Sequence, residues 1–353
     1  MIMGNLTEAK VKEGIKVDPS RIMQVGMGFW ASKTLLTAVK LGLFSELAIK
    51  PLTGREIKLK LCLNGRGMYD FLDTLVALGF LNKKGNINTA VYSNSADSDL
   101  FLDKGKLSYM GGLLEMANNR LYPFWNFLEE GLKRGTPQNE IRTGEKSLFE
   151  EIYSDIDKTR EFVNAMSGAQ AGNFITFATQ FDFSSYSTLC DIGGAGAHLS
   201  AQVVTHNPHM SCISFDLPPV SPIASENSSL MGVANKVKVV SGDFFTDSFP
   251  KADVITMGNV LHDWGTNDKK MLIGKAYDAL PKGGALVVIE NIIDDERREN
   301  AFGLMMSLNM LIETTEGYDF TAKDFKTWAS EAGFVETSVM KLAGPSSAVI
   351  AIK

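Results

Sequence analysis

The chain has 353 residues, enough for two domains of ordinary size, with 44% hydrophobic and 22% charged residues. No apolar run approaches the length of a bilayer span, and the polar, mixed-charge residues 1–20 do not read as a signal peptide. A net charge of −6 argues against a nucleic-acid partner held through phosphate contacts.

The three cysteines, Cys62, Cys190 and Cys212, form no CxxC pair. All three are expected to be buried, reduced thiols, which points to the cytoplasm.

Residues 20–49 are predicted to be helical, with apolar positions recurring at Ile22, Val25, Met27, Phe29, Leu35, Val39 and Leu43. Thr53-Gly54-Arg55-Glu56 has the form of a capping box opening a short helix. A second helix is predicted over 66–78, stopped by Gly79. Two short strand-like pieces flank Lys84-Gly85-Asn86, which completes a winged-helix pattern. Such patterns often bind DNA, but the second helix carries Asp70 and Asp73 beside Phe71, Leu72, Leu75 and Val76. A recognition helix needs basic and amide side chains, so packing in a homodimer is the better account. The apolar surface of 20–49 also exceeds what one small core can bury.

Residues 106–179 read as largely helical and are rich in methionine and aromatic residues, among them Tyr109, Met116, Tyr122, Trp125, Phe162 and Met166. Core packing and an apolar pocket wall both fit. From 187 onward strands alternate with helices. Strands are predicted at 188–192, 211–216, 237–241, 253–257 and 285–290, giving a parallel sheet with helices on both faces. Strands at 337–342 and 348–352 close the chain as an antiparallel hairpin.

The ends of the predicted strands carry the chemistry. The first runs into Asp191-Ile192-Gly193-Gly194-Ala195-Gly196-Ala197, whose small residues let the backbone approach a ligand. A tight turn alone would explain it equally. The second ends in Phe215-Asp216-Leu217-Pro218, and an acid there suits the vicinal hydroxyls of a cofactor ribose. The glycine pattern departs from G-x-G-x-x-G, because Leu199 stands at its last position. That departure favours S-adenosylmethionine, which has no pyrophosphate, over a dinucleotide. The third strand ends in Gly242-Asp243-Phe244-Phe245, an acid and an aromatic suited to adenine. The fourth leads into Leu261-His262-Asp263-Trp264, a histidine at the sheet edge where ligands bind.

These motifs, in this order and spacing, together with 279–284 and 331–334, resemble the caffeate/hydroxyindole O-methyltransferase-like family, along nearly the whole chain. The resemblance implies a Rossmann-like seven-stranded α/β methyltransferase sheet preceded by a helical, winged-helix dimerisation domain. It divides the chain into a dimerisation domain (1–105), a helical linker and acceptor-pocket wall (106–180) and an S-adenosylmethionine-binding catalytic domain (181–353). It implies cofactor contacts at Asp191, Gly193, Asp216, Leu217, Asp243 and Phe244, and a catalytic base at His262 flanked by Glu290 and Asp319. Phe162, Met166, Asp263, Met306, Met310 and Trp125 would contact the acceptor, and no metal is implied. The chain departs from the family in having Ala195 and Ala197 for glycines, Gly258 for a basic residue, and Asp319 for the usual glutamate.

The sulfonium methyl is already a strong electrophile, so the protein need only align the reactants and remove a proton. Neutral His262 would take that proton, near an ordinary imidazole pKa unless its neighbours shift it, with Glu290 orienting the ring. O-methylation of a small hydroxylated, aromatic molecule leads. S-methylation of a thiol or thioether, a non-methylating cofactor-binding relative, and a binding or regulatory protein are the alternatives.

Overall fold

The computed structural model describes residues 18–86, 89–106, 108–143 and 148–353, so most of the stretch read against a signal peptide lies outside the described residues. The chain divides into two compact units, Met1–Gly105 and Lys106–Lys353.

In the first unit the helix predicted over 20–49 is three helices, Ser20–Gly26, Gly28–Lys40 and Leu43–Ile49. Gly26 and Gly28 weaken the ladder around Met27, and Gly42 adopts φ 70°, outside any right-handed helix. The capping box forms as predicted. Thr53 Oγ1 accepts from the Glu56 N–H at 3.3 Å, and the Glu56 carboxylate accepts from the Thr53 N–H at 2.7 Å. The next helix is Met68–Ala77. Strands β1 (Leu52–Thr53), β2 (Leu81–Lys84) and β3 (Val91–Asn94) make an antiparallel sheet in the order β1-β3-β2. Asp73, one of the acids that spoke against DNA binding, accepts from Tyr92 Oη at 2.9 Å and from Lys83 Nζ at 2.7 Å, tying helix to hairpin. Cys62 corrects the expectation for the cysteines. It is exposed, in a turn at φ 53°, whereas Cys190 and Cys212 are buried.

Phe44, Leu47, Leu72, Leu75 and Tyr92 form the interior of this unit. Ile22 (76% exposed), Val25 (76%), Phe29 (51%) and Trp30 (62%) stand outside it. This apolar stripe is left uncovered by its own unit.

In the second unit a seven-stranded sheet has the order β6-β5-β4-β7-β8-β10-β9. Its strands are β4 (Thr188–Ile192), β5 (Ser211–Asp216), β6 (Val237–Ser241), β7 (Val254–Gly258), β8 (Ala285–Glu290), β9 (Glu336–Lys341) and β10 (Ser347–Ile352). β4 to β8 are parallel, and β10 lies antiparallel between β8 and β9. Every residue of β8 is buried, as a strand covered on both faces requires, while the edge strand β9 is mostly exposed and polar. One face packs on Leu272, Ile273, Phe325 and Trp328, the other on Phe177, Leu199 and Val203. The chain order reverses between β4 and β7, which opens a crevice at their carboxyl ends.

The stretch 106–179 is helical but broken. A π-helical turn, Ala117–Leu121, runs into Pro123, which has no N–H for a regular ladder. The stretch ends in the long helix Ile156–Gln180, started by the Asp155 side chain, which accepts from two backbone N–H groups.

Candidate active site

A cavity of about 900 Å³ opens at the crevice, lined from the ends of β4, β5 and β7 and from the long helix. The loop after β4 is shaped by its small residues. A Cβ on Gly193 (φ 70°) would lie 2.7 Å from Val260 Cγ2, and one on Gly194 would lie 2.4 Å from Ser214 Oγ. The two alanines that replace family glycines keep the glycine conformation, with φ 45° at Ala195 and 60° at Ala197. A left-handed alanine costs about 1–2 kcal/mol, partly offset by the greater freedom glycine has in the unfolded chain. Ala195→Gly is therefore expected to stabilise the protein by about 0.5–1 kcal/mol, read as a higher urea midpoint. Ala197→Gly should gain less, because it deletes a fully buried methyl.

Asp216 sits at the end of β5. Its carboxylate accepts from the Ala195 N–H at 2.8 Å and the Leu217 N–H at 2.7 Å, and burial pushes its pKa up to about 6. Buried Asp191 accepts from Thr256 Oγ1 at 2.7 Å, and burial pushes it up to about 7. Asp243 accepts from the Phe245 N–H at 2.8 Å, while Lys275 Nζ donates to the Phe244 and Phe245 carbonyls and fixes that loop. All six expected cofactor residues line the cavity. The donor set fits the expected group: a carboxylate for vicinal hydroxyls, with Leu217 beside it, and a second acid with a phenyl ring for a purine.

His262 lies on a 3₁₀ turn after β7, 5% exposed and on the cavity wall. Behind it, Nδ1 stands 3.5 Å from Glu290 Oε2 and 3.6 Å from Asp319 Oδ1. Nε2 is 3.5 Å from Asp263 Oδ1, on the side of a residue that also lines the cavity. These are ion-pair distances, longer than hydrogen bonds. Glu290 also accepts from the His262 backbone N–H at 3.3 Å. Gly317 lets the Asp319 segment come close, since a Cβ there would lie 2.6 Å from the His262 carbonyl oxygen. The shorter acid at 319 thereby still reaches the ring.

Burial opposes a charge on His262, but Glu290, Asp263 and Asp319 outweigh it and raise the imidazole to about 10. Burial pushes Glu290 up to about 7 and Asp263 up to about 6. No local signal announces so high an imidazole; three carboxylates brought in from three segments supply it. Ligand-type atoms of His262, Glu290 and Asp319 lie within 4.8 Å of one another, a spacing that also suits a cation.

Of the acceptor residues expected from the sequence, Phe162, Met166, Asp263, Met306 and Met310 line the cavity. Trp125 does not; its indole N–H donates to Asn309 Oδ1 at 2.8 Å, and Asn309 lines the wall. Glu290 and Asp319 stand behind His262 rather than on the wall. Phe149, missed in the sequence, and Trp264, noted there only within its motif, complete it. Trp264 packs against Phe149 at 5.9 Å and Phe244 at 5.8 Å between centroids, and Phe149 reaches Phe162 at 6.4 Å. Gly258 leaves room where the family often has a basic side chain, its nearest neighbour to a Cβ being Phe174 at 3.8 Å.

Residues 125–335 match the O-methyltransferase domain family, and residues 23–104 match the O-methyltransferase dimerisation domain. The tetracenomycin polyketide synthesis 8-O-methyl transferase of Streptomyces glaucescens is 37% identical over 335 residues, covering 95% of this chain and 97% of that protein. An N,N-dimethyltransferase of Streptomyces rimosus is 30% identical over 313 residues, covering 89% and 90%. The crystal structure of human N-acetylserotonin methyltransferase in complex with SAM superposes with a TM-score of 0.89 at 27% identity, covering 97% of this chain and 99% of that one. The protein is therefore a member of the O-methyltransferase family, with that family's dimerisation domain ahead of its catalytic domain.

Proposed function

We propose that the protein methylates a hydroxyl on a flat aromatic acceptor, with S-adenosylmethionine as donor and His262 as general base. The observation that carries this reading is the buried His262, on the wall of an aromatic- and methionine-rich cavity, with two carboxylates behind Nδ1. Bound S-adenosylmethionine supplies an electrophilic methyl. Asp216, Leu217, Asp243, Phe244, Asp191 and Gly193 hold the donor. Phe162, Met166, Met306 and Met310 hold the acceptor ring, with Asp263 beside its hydroxyl and Trp125 steadying Asn309. Glu290 and Asp319 keep the Nδ1 proton in place, which leaves Nε2 to take the proton of the hydroxyl. A raised imidazole suits a phenol, whose own pKa is about 10, because the two then compete evenly for the proton. A screen of phenols and thiols with methyl-labelled cofactor tests this. Label recovered on phenolic oxygen supports it, and label only on sulfur, or none, overturns it.

The domain limits expected above, the winged-helix reading of the first unit and a cytoplasmic setting belong to the same proposal. The helix–hairpin arrangement of residues 54–94 and the free thiols support the last two. No described helix is long and apolar enough to cross a membrane.

The dimerisation domain makes the protein a homodimer. The uncovered stripe of Ile22, Val25, Phe29 and Trp30 is the surface we assign to that interface. Val25→Asp with Trp30→Asp is expected to give a monomer by light scattering at micromolar concentration. A dimer that persists would move the interface elsewhere.

A further inference from the structure

One acid on the acceptor wall has no role in this account. Glu313 ends the helix Ala301–Glu313, which also carries Met306 and Met310, and all three line the cavity. Residues at such intervals share one face of a helix, so Glu313 stands nearly one turn beyond Met310, about 4.5 Å further along the axis. It is 5% exposed.

Its partners fix its orientation. Oε2 accepts from Nη1 of Arg120, on the π-helical turn Ala117–Leu121. Arg120 also lines the cavity, and its guanidinium is held from another side by Glu140, which accepts from Nε and Nη2 at 2.7 Å each. The backbone is pinned as well, because the Glu313 carbonyl accepts from Asn139 Nδ2 at 2.9 Å. The remaining oxygen, Oε1, is buried and accepts from no described residue. Leaving a buried carboxylate oxygen without a donor is destabilising, and an apolar pair often replaces a buried ion pair without loss. Stability gives no reason for an acid in a wall otherwise continued by methionines. A ligand that donates to Oε1 does.

We propose that Glu313 is a specificity-determining residue, whose free Oε1 accepts from a second hydroxyl or N–H on the acceptor. The proposal rests on the phenol-methylating reading above and narrows it to phenols that carry two donors. One donor faces His262 and the other Glu313, with Met306 and Met310 along the ring between them. Arg120 is the positioning residue, since by holding Oε2 it leaves Oε1 for the ligand. An ether or carbonyl at the second position would bring lone pairs against the carboxylate, and an apolar group would leave Oε1 unpaired.

The test measures binding without turnover, to the full-length dimer loaded with S-adenosylhomocysteine. Burial raises the Glu313 carboxyl while Arg120 opposes the rise, so a buffer at pH 8 is used to favour the ionised form. Positional isomers of dihydroxynaphthalene and their monomethyl ethers form matched pairs; each ether keeps one hydroxyl and loses the second donor. Calorimetry is expected to show at least one diol binding about 10–100-fold more tightly than its ether. In Glu313→Gln the amide oxygen keeps the Arg120 bond and leaves N–H2 for the ligand, so the preference should vanish or reverse. Glu313→Met should bind diol and ether alike. S-adenosylhomocysteine affinity should hold in both variants, because the six residues assigned to the donor remain in place.

Diols and ethers that bind equally to the wild type overturn the proposal, as does a diol preference that survives in both variants. If neither variant folds, the wild-type pairs decide: a diol preference supports the proposal and parity overturns it. Failure of every diol to bind overturns it together with the phenol reading. Methyl label found only on sulfur removes that reading alone, because the preference is measured without transfer.

Discussion

His262→Ala is expected to slow single-turnover methyl transfer to a phenolic acceptor by about 10²–10⁴-fold, the usual contribution of a general base. Cofactor affinity should hardly move, since the six residues assigned to the donor remain in place. The wild-type rate should rise with pH well past neutrality. Glu290, Asp263 and Asp319 raise the imidazole to about 10 against the opposing effect of burial, and only the neutral ring can accept. Glu290→Gln removes the carboxylate charge that raises the ring most, so the rising limb should move to lower pH even as the maximum rate falls from poorer ring orientation. Stopped-flow or quench measurements across pH, with both substrates saturating, separate the two effects. A wild-type rate in His262→Ala would exclude the base and point to an acceptor that loses no proton, such as a thioether.

The order of strands and the motifs at their ends could be read directly because each strand reports its own surroundings. β8 is a continuous apolar run from Ala285 to Ile289, and Glu290, which ends it, falls at the sheet edge. Local chemistry likewise announced the Thr53 capping box. Properties that depend on distant segments could not be read this way. Lys269 lies in a run, Asn267-Asp268-Lys269-Lys270, that looks like a solvated helix face; only the packing of Tyr318 over it shows that it is buried. The break at Met27 competes with an unbroken apolar period, and two flanking glycines decide it. Trp125 has the composition of a pocket wall, yet its indole is spent on Asn309, and no spacing rule relates two residues so far apart. The raised imidazole is of the same kind, a consequence of three acids that meet only in the fold.

Asp216→Ala is expected to weaken S-adenosylmethionine binding by about 1–3 kcal/mol, roughly fivefold to 150-fold, through loss of charge-assisted hydrogen bonds to the ribose. The carboxylate already accepts from two backbone N–H groups, at Ala195 and Leu217, so each oxygen keeps a lone pair for a hydroxyl. The alanine variant also strands those two N–H groups, which would loosen the strained Ala195 turn. Asp216→Asn separates the contributions: its amide oxygen still accepts from one N–H, but the charge is gone. Comparable losses in both variants assign the effect to the ribose contact. A loss confined to the alanine variant assigns it to the loop. The wild type offers an independent check. Because burial raises Asp216 to about 6, lowering the pH through that value adds a proton and removes an acceptor, so affinity should fall on the acid side. Calorimetry at pH 5 and pH 8 reads this directly. Equal affinity at the two values, together with unchanged binding in Asp216→Ala, would remove the acid from the cofactor site and leave β5 without a ligand contact.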